Sequence, residues 1–264
     1  RMTPAPPVIP PASPGHPPAD VRGLATLSPA NFGIVMATGI VSIAAFVLGH
    51  AGLARALFWL NAAAYGLLWA LTLLRLARHP GRVRADAADH LRGPGFFTAV
   101  AGSGVLGSQC VLLLGDARAG LALWWVTAGL WLALTYGILA ALTLKPSKPA
   151  LERGINGTWL LAVVATQSVA VLGVLVAPAL AEGARAAMHF LALALWLWGG
   201  MLYIWITGLI FYRYTFFTLA VEDLTPPYWI NMGAMAISTL AGALLVLAAP
   251  QAPLLHALAP FVEG

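Results

Sequence analysis

Seven apolar runs of roughly twenty residues each constrain this chain more than any other feature. They lie at about 32–49, 54–76, 96–114, 119–144, 155–177, 187–212 and 227–249. About 20 apolar residues are what an α-helix needs to cross roughly 30 Å of hydrocarbon, and only helices and closed barrels leave no backbone group unsatisfied there. The expected fold class is therefore an all-α polytopic membrane protein. Composition agrees: of 264 residues, 60 % are hydrophobic and only 9 % charged, which is not a soluble surface.

Ahead of the first run, residues 1–27 are proline-rich and read as a disordered, extended tail, with no apolar stretch of the kind a secretory signal carries. Residues 28–264 then form the membrane domain. An eighth apolar run begins near Leu254, about ten residues before the end at Gly264, so the expectation is a chain truncated at its C-terminus.

Basic residues set the orientation. The tail and the loops after the second, fourth and sixth runs hold eleven of them: Arg1, Arg22, Arg75, Arg78, Arg82, Arg84, Arg92, Lys145, Lys148, Arg153 and Arg213. The other side holds Arg55, Arg118 and Arg185. This bias places the N-terminus and the basic loops in the cytoplasm, with a bacterial inner membrane as the expected setting. Each pair of runs is a helical hairpin that begins and ends inside.

Character alternates along the hairpins. Odd runs are rich in small and hydroxyl residues, such as Gly33, Thr38, Gly39 and Ser42, or Thr98, Gly102, Gly104, Gly107 and Ser108. Even runs are bulky and hold eight of the ten tryptophans, among them Trp59, Trp124, Trp131, Trp196, Trp198 and Trp205. Small residues let helices pack closely or border water, while tryptophan-rich helices suit a lipid-facing shell. The alternation therefore predicts an inner ring of odd helices around a central pore, enclosed by even ones. In the seventh run Pro226 and Pro227 mark a helix start, and Asn231, Ser238 and Gly242 share one face. That stripe has two readings, a packing seam or a permeation path.

The chemistry within the runs is sparse. None contains Asp, Glu or Lys, so there is no intramembrane carboxylate to relay protons or hold a coupling ion, and passive conduction is favoured. Hydroxyls, amides and the positive ends of helices hydrate an anion without holding it tightly. Cys110 stands alone and forms no internal disulfide, and no histidine has a second ligand at metal spacing. No phosphate-binding loop and no nucleic-acid motif occur. The stretch Ala101–Ser108 raises a serine nucleophile, Ser103, but Ala101 stands where the motif needs glycine and no base is at hand. No catalytic residue, metal or cofactor is expected.

The segments FGIVMATGIVSIA, residues 32–44, and TPPYWINMGAMAISTLAG, residues 225–242, resemble the first and seventh helices of the tellurite-resistance/C4-dicarboxylate transporter family, which includes the slow-type anion channels. The resemblance covers about residues 28–249. It implies ten helices in five hairpins around a central pore, of which about seven and a half are present here, and usually a homotrimer with one pore per protomer. Carried over by position, the implied pore-lining residues are Thr38, Ser42, Thr98, Ser108, Thr166, Asn231 and Ser238. The family's occluding phenylalanine lies in a ninth helix, beyond this chain's last residue. The implied function is transport of small anions such as chloride, nitrate, sulfite or a C4-dicarboxylate like malate. The alternatives are a proton-coupled dicarboxylate carrier of the same fold and, more remotely, an intramembrane enzyme.

Overall fold

A computed structural model of the chain describes residues 23–251 apart from 219 and 224. Nine α-helices occur among the described residues: α1 Gly33–Val47, α2 Ala51–Arg78, α3 Pro80–Ala87, α4 Phe97–Leu114, α5 Ala117–Leu144, α6 Leu151–Gly154, α7 Leu161–Val176, α8 Glu182–Phe216 and α9 Ile230–Ala248. Seven of them, α1, α2, α4, α5, α7, α8 and α9, are long and apolar enough to cross a membrane once their entry turns are counted. The protein is an all-α, multi-pass integral membrane protein. Most of the expected tail and the eighth run lie outside the described residues; of the tail's end, Leu24–Thr26 form a 3-10 turn whose Ala25 carbonyl accepts from Arg75.

Two expectations change in detail. The charged loop expected between the second and third runs contains helix α3, started by Pro80 in its first turn, where a missing N–H costs nothing. The even helices also outrun their apolar cores. At 35 residues, α8 is about 50 Å long, so its ends reach past the hydrocarbon, and Arg213 belongs to its last turn.

The four small-residue helices share one kind of beginning. Each is entered through a 3-10 turn, at Pro29–Phe32, Gly93–Phe96, Gly157–Leu160 and Pro226–Trp229. Proline fits three of these turns, and side-chain caps serve two: Ser28 accepts from the Ala30 N–H and Asn156 from the Thr158 N–H. At the opposite end the hairpin turns are short because Gly49 and Gly115 take left-handed backbone, φ +84° and +67°, which glycine adopts without steric cost. Asp116 then caps α5 through the Arg118 and Ala119 N–H groups.

Packing follows the alternation only in part. The hairpins are α1 on α2, α4 on α5 and α7 on α8; inside them α1 packs on α4, α4 on α7 and α7 on α9. The inner helices thus form an arc, α1–α4–α7–α9, whose two ends make no extended contact among the described residues. Burial is unequal along it: 78 % and 89 % of the apolar stretches of α4 and α7 are buried, against 28 % and 22 % for α1 and α9. Among the described residues the inner helices are a buried pair with two flanking staves, not a closed ring. Glycine sets the closeness of the pair, since a Cβ on Gly104 would stand 2.9 Å from Ser168 Cβ.

The tryptophans also divide. Trp59, Trp125 and Trp205 are exposed, as a lipid-facing shell requires. Three others turn inward and donate their indole N–H to an inner helix: Trp124 to Val169 O at 3.2 Å, Trp131 to Thr166 Oγ1 at 2.9 Å, and Trp196 to Ser238 O at 2.9 Å. Hydrocarbon offers no partner for an indole N–H, so these residues fasten outer helices to inner ones.

Candidate functional site

A cavity of about 890 Å³ lies on the concave side of the arc, with walls from α1, α4, α7 and α9. Each wall begins with a residue of that helix's entry turn or the turn itself: Pro29 and Ala30, Gly95, Thr158, and Pro227. Four helix N-termini therefore open onto one mouth, at the end of the molecule that carries the basic loops. Further in, the wall is apolar, from Met36, Ile40, Val105, Leu161, Ile237 and Leu240, relieved by Thr98 and Ser168. Gly33 and Gly233 also line it, and a Cβ on either would meet nothing within 4 Å, so these glycines leave free space.

Among the described residues the cavity wall carries one charged side chain, Arg92, and no carboxylate. Arg92 Nε lies 2.8 Å from Asp86 Oδ1, and the same carboxylate receives Arg75 at 2.6 Å. One acid is thus shared by two guanidiniums. Asp89 is occupied locally, accepting the Leu91 and Arg92 backbone N–H groups. Helix N-termini carry roughly half a positive charge each, so backbone and side chains bias the mouth in the same direction.

Comparison with known proteins bears on what this arrangement belongs to. Residues 26–262 match the family model described as voltage-dependent anion channel. The chain belongs to that family. Two uncharacterized membrane proteins, from two strains of Mycobacterium tuberculosis, are each 49 % identical over 45 residues, a match that spans 17 % of this chain and 23 % of each relative. No solved structure matches. Anion transport is the activity the voltage-dependent anion channel family suggests.

Within this family frame, the seven residues singled out by sequence separate. Thr98 stands at the cavity wall, its hydroxyl 2.8 Å from Gly95 O and 3.1 Å from Pro29 O. The other six lie elsewhere, each for a visible reason. Ser42 is fully buried and donates across the hairpin to Ala54 O at 2.7 Å, and Thr38 is half-buried one turn earlier on the same side of α1. Ser108 bonds back to Gly104 O within α4. Thr166 takes the Trp131 indole and lines a second, separate cavity. Ser238 bonds to Ala234 O, and Gly242 lies against the Trp196 ring, so that face of α9 is a seam with α8; Asn231 is exposed.

Ser103, the one candidate nucleophile, donates to Ala99 O at 2.7 Å and sits 2.9 Å from the Tyr65 hydroxyl, with no histidine among its partners. Groups of three or more metal-binding side chains are absent among the described residues.

Three features escaped the sequence reading. Arg92 was counted only as a loop cation, though a basic residue just before a helix entry turn is a signal for a charged mouth. Ser168 lines the wall although nothing in its sequence setting sets it apart from the other hydroxyls of the odd runs. The third is a set of buried amides: Asn61 Nδ2 donates to Gln109 Oε1 at 2.7 Å between α2 and α4, both fully buried, where a Cβ on Gly39 would stand 2.8 Å from Asn61 Nδ2. Gln167 likewise reaches Trp196 O at 3.1 Å. Amides inside apolar runs were the available signal, because such groups are held in a membrane only where protein surrounds them.

Proposed function

We propose that this protein conducts small anions, such as chloride, nitrate, sulfite or a C4-dicarboxylate like malate, passively through the cavity enclosed by α1, α4, α7 and α9. One observation carries the reading: four helix N-termini and Arg92 face a single mouth whose wall holds no carboxylate among the described residues. An anion entering there gains from the helix dipoles and the guanidinium, then meets an apolar wall that binds it weakly, as throughput requires. Proton or sodium coupling is disfavoured by the same wall, since it offers no titrating or ion-binding acid. The path runs past Thr98 and Ser168 rather than past Thr38, Ser42, Ser108, Thr166, Asn231 or Ser238, none of which lines the cavity. The mouth opens to the cytoplasm on the count of basic loops, and the functional unit is a homotrimer in the inner membrane on family grounds. The protein is not an enzyme.

The test is flux through liposomes containing the purified full-length protein, read by a halide-sensitive dye for chloride and by radiolabel for malate. Potential-driven anion uptake is expected, cut at least tenfold by Gly33→Phe or Gly233→Phe while the protein stays monodisperse. Uptake no greater than in empty liposomes, or unaffected by both substitutions, would overturn the proposal. Uptake accelerated by a pH gradient without current would establish a proton-coupled carrier instead.

A further inference from the structure

The second cavity has a shape and setting unlike the first. It holds about 350 Å³ between α5, α7 and α8, on the outer side of the inner arc. Its floor is apolar, with Phe97, Ile138 and Trp159, and its rim residues Leu139, Trp198, Trp205 and Leu209 are exposed, so it opens sideways toward lipid. Lengthwise it runs from Leu209, next to the basic loops, to Trp198, a distance of eleven residues on α8 or about 16 Å. That is close to half of a hydrocarbon core about 30 Å thick. An apolar slot of that length, open sideways to lipid, matches an extended acyl chain lying along the helices.

The polar end of the slot is cationic. His90 and Pro149 form it, and Lys148 is the residue directly before Pro149. Lys145 gives one of its three donors to Ala88 O at 3.0 Å, and Lys148 is exposed. The opposing acid is Asp89, whose carboxylate already accepts two backbone N–H groups. Membrane leaflets that face basic loops present anionic headgroups, and each lysine near that surface adds attraction.

We propose that this slot binds one acyl chain of an anionic phospholipid from the leaflet on the basic-loop side, with its phosphate held by Lys145 and Lys148. The bound chain would wedge the α4–α5 hairpin against the α7–α8 hairpin. This site is independent of the transport reading, because it shares no wall residue with the larger cavity.

Native mass spectrometry of the full-length protein, titrated with phosphatidylglycerol or phosphatidylcholine, tests it. The expected result is one phosphatidylglycerol per protomer, retained at least tenfold more tightly than phosphatidylcholine. Lys145→Gln with Lys148→Gln should erase that preference, and Ala162→Trp, which fills the slot, should remove the bound lipid of both kinds. Leu139→Trp, on the exposed rim, serves if Ala162→Trp does not fold. Equal binding of the two lipids, a preference that survives loss of both lysines, or lipid retained after the slot is filled would each overturn the proposal. So would self-association lost on filling the slot, which would make a second copy the occupant.

Discussion

Helices α4 and α7 share a composition with α1 and α9 but not a surrounding. All four are built from glycine, alanine and hydroxyl residues, yet the first two are enclosed and only about a quarter of each of the second two is buried. The same residue type consequently does opposite work. In α4 the glycines are pressed: Gly104 against Ser168, and Gly107 against the Leu172 and Leu123 side chains. In the flanking helices Gly33 and Gly233 face open space at the cavity wall, though Gly39 and Gly242 are pressed on their other faces. Smallness permits contact in the centre of the arc and keeps a lumen clear at its edges.

The difference is most sharply tested where a side chain has no room at all. Gly157, in the entry turn to α7, meets the backbone of the entry turn to α9: a Cβ there would overlap Pro227 O and stand 2.7 Å from Tyr228 Cα. Backbone does not yield as a side chain does, so Gly157→Ala is expected to cost more than the roughly 1–3 kcal/mol typical of overpacking. The thermal unfolding midpoint in detergent should fall by many degrees, or the protein should fail to purify. Gly104→Val should follow at about 1–3 kcal/mol, because Ser168 Cβ and O both lie within 3.2 Å of the new Cβ. An unaltered midpoint for Gly104→Val would break the account of the enclosed pair, and one for Gly157→Ala would break the close approach of the α7 and α9 entry turns.

At the flanks the expected signature reverses. Gly33→Ala and Gly233→Ala should leave stability within about 0.5 kcal/mol, as substitutions that meet no neighbour do. The phenylalanine variants at these positions should keep the midpoint and lose transport. If they unfold the protein instead, the contrast between packed and lumen-facing glycines fails.

Outer helices offer a smaller effect. Trp196→Phe removes the indole N–H that bonds Ser238 O and should cost about 1 kcal/mol, as a lost hydrogen bond does; Trp125→Phe, at an exposed site, should cost almost nothing. Equal midpoints for the two variants would show that tryptophan serves α8 and α5 alike, as lipid-facing surface only.

These contrasts also mark what could be read in the letters. The seven crossings, their hairpin pairing and the proline-led start of α9 were legible, because apolar length and proline stereochemistry are local properties. The side of each helix that faces the cavity was not. Thr98 reached the wall, whereas Ser238 and Gly242, on an equally polar face, went to Trp196, because that face is settled by which neighbour arrives. A hydroxyl in an apolar helix satisfies itself on the carbonyl four residues back, as Ser108, Ser168 and Ser238 all do, and so reveals nothing about water. Arg92 was hidden for a different reason: its place at the mouth depends on Asp86 folding back on helix α3, which the charged stretch did not disclose.

The smallest expected effect concerns the basic-loop end of the enclosed pair. Burial between the hairpins pushes the His90 imidazole below its ordinary value of 6.5; Lys145 and Lys148 push the same way, and Asp89 opposes them. The folded protein therefore holds His90 neutral at a pH where the unfolded chain has begun to protonate it. By about pH 7.5, a full unit above the ordinary value, neither state takes up much proton and His90 contributes almost no slope. As the pH drops below that value the unfolded state gains protons first, so stability declines until the folded imidazole also titrates. Unfolding midpoints measured from pH 7.5 down to 5 should fall less in His90→Asn than in the parent protein, with the two curves running parallel near pH 7.5. A steeper fall in the variant would mean that the folded state protonates first, and that this end of the hairpins is wet rather than enclosed.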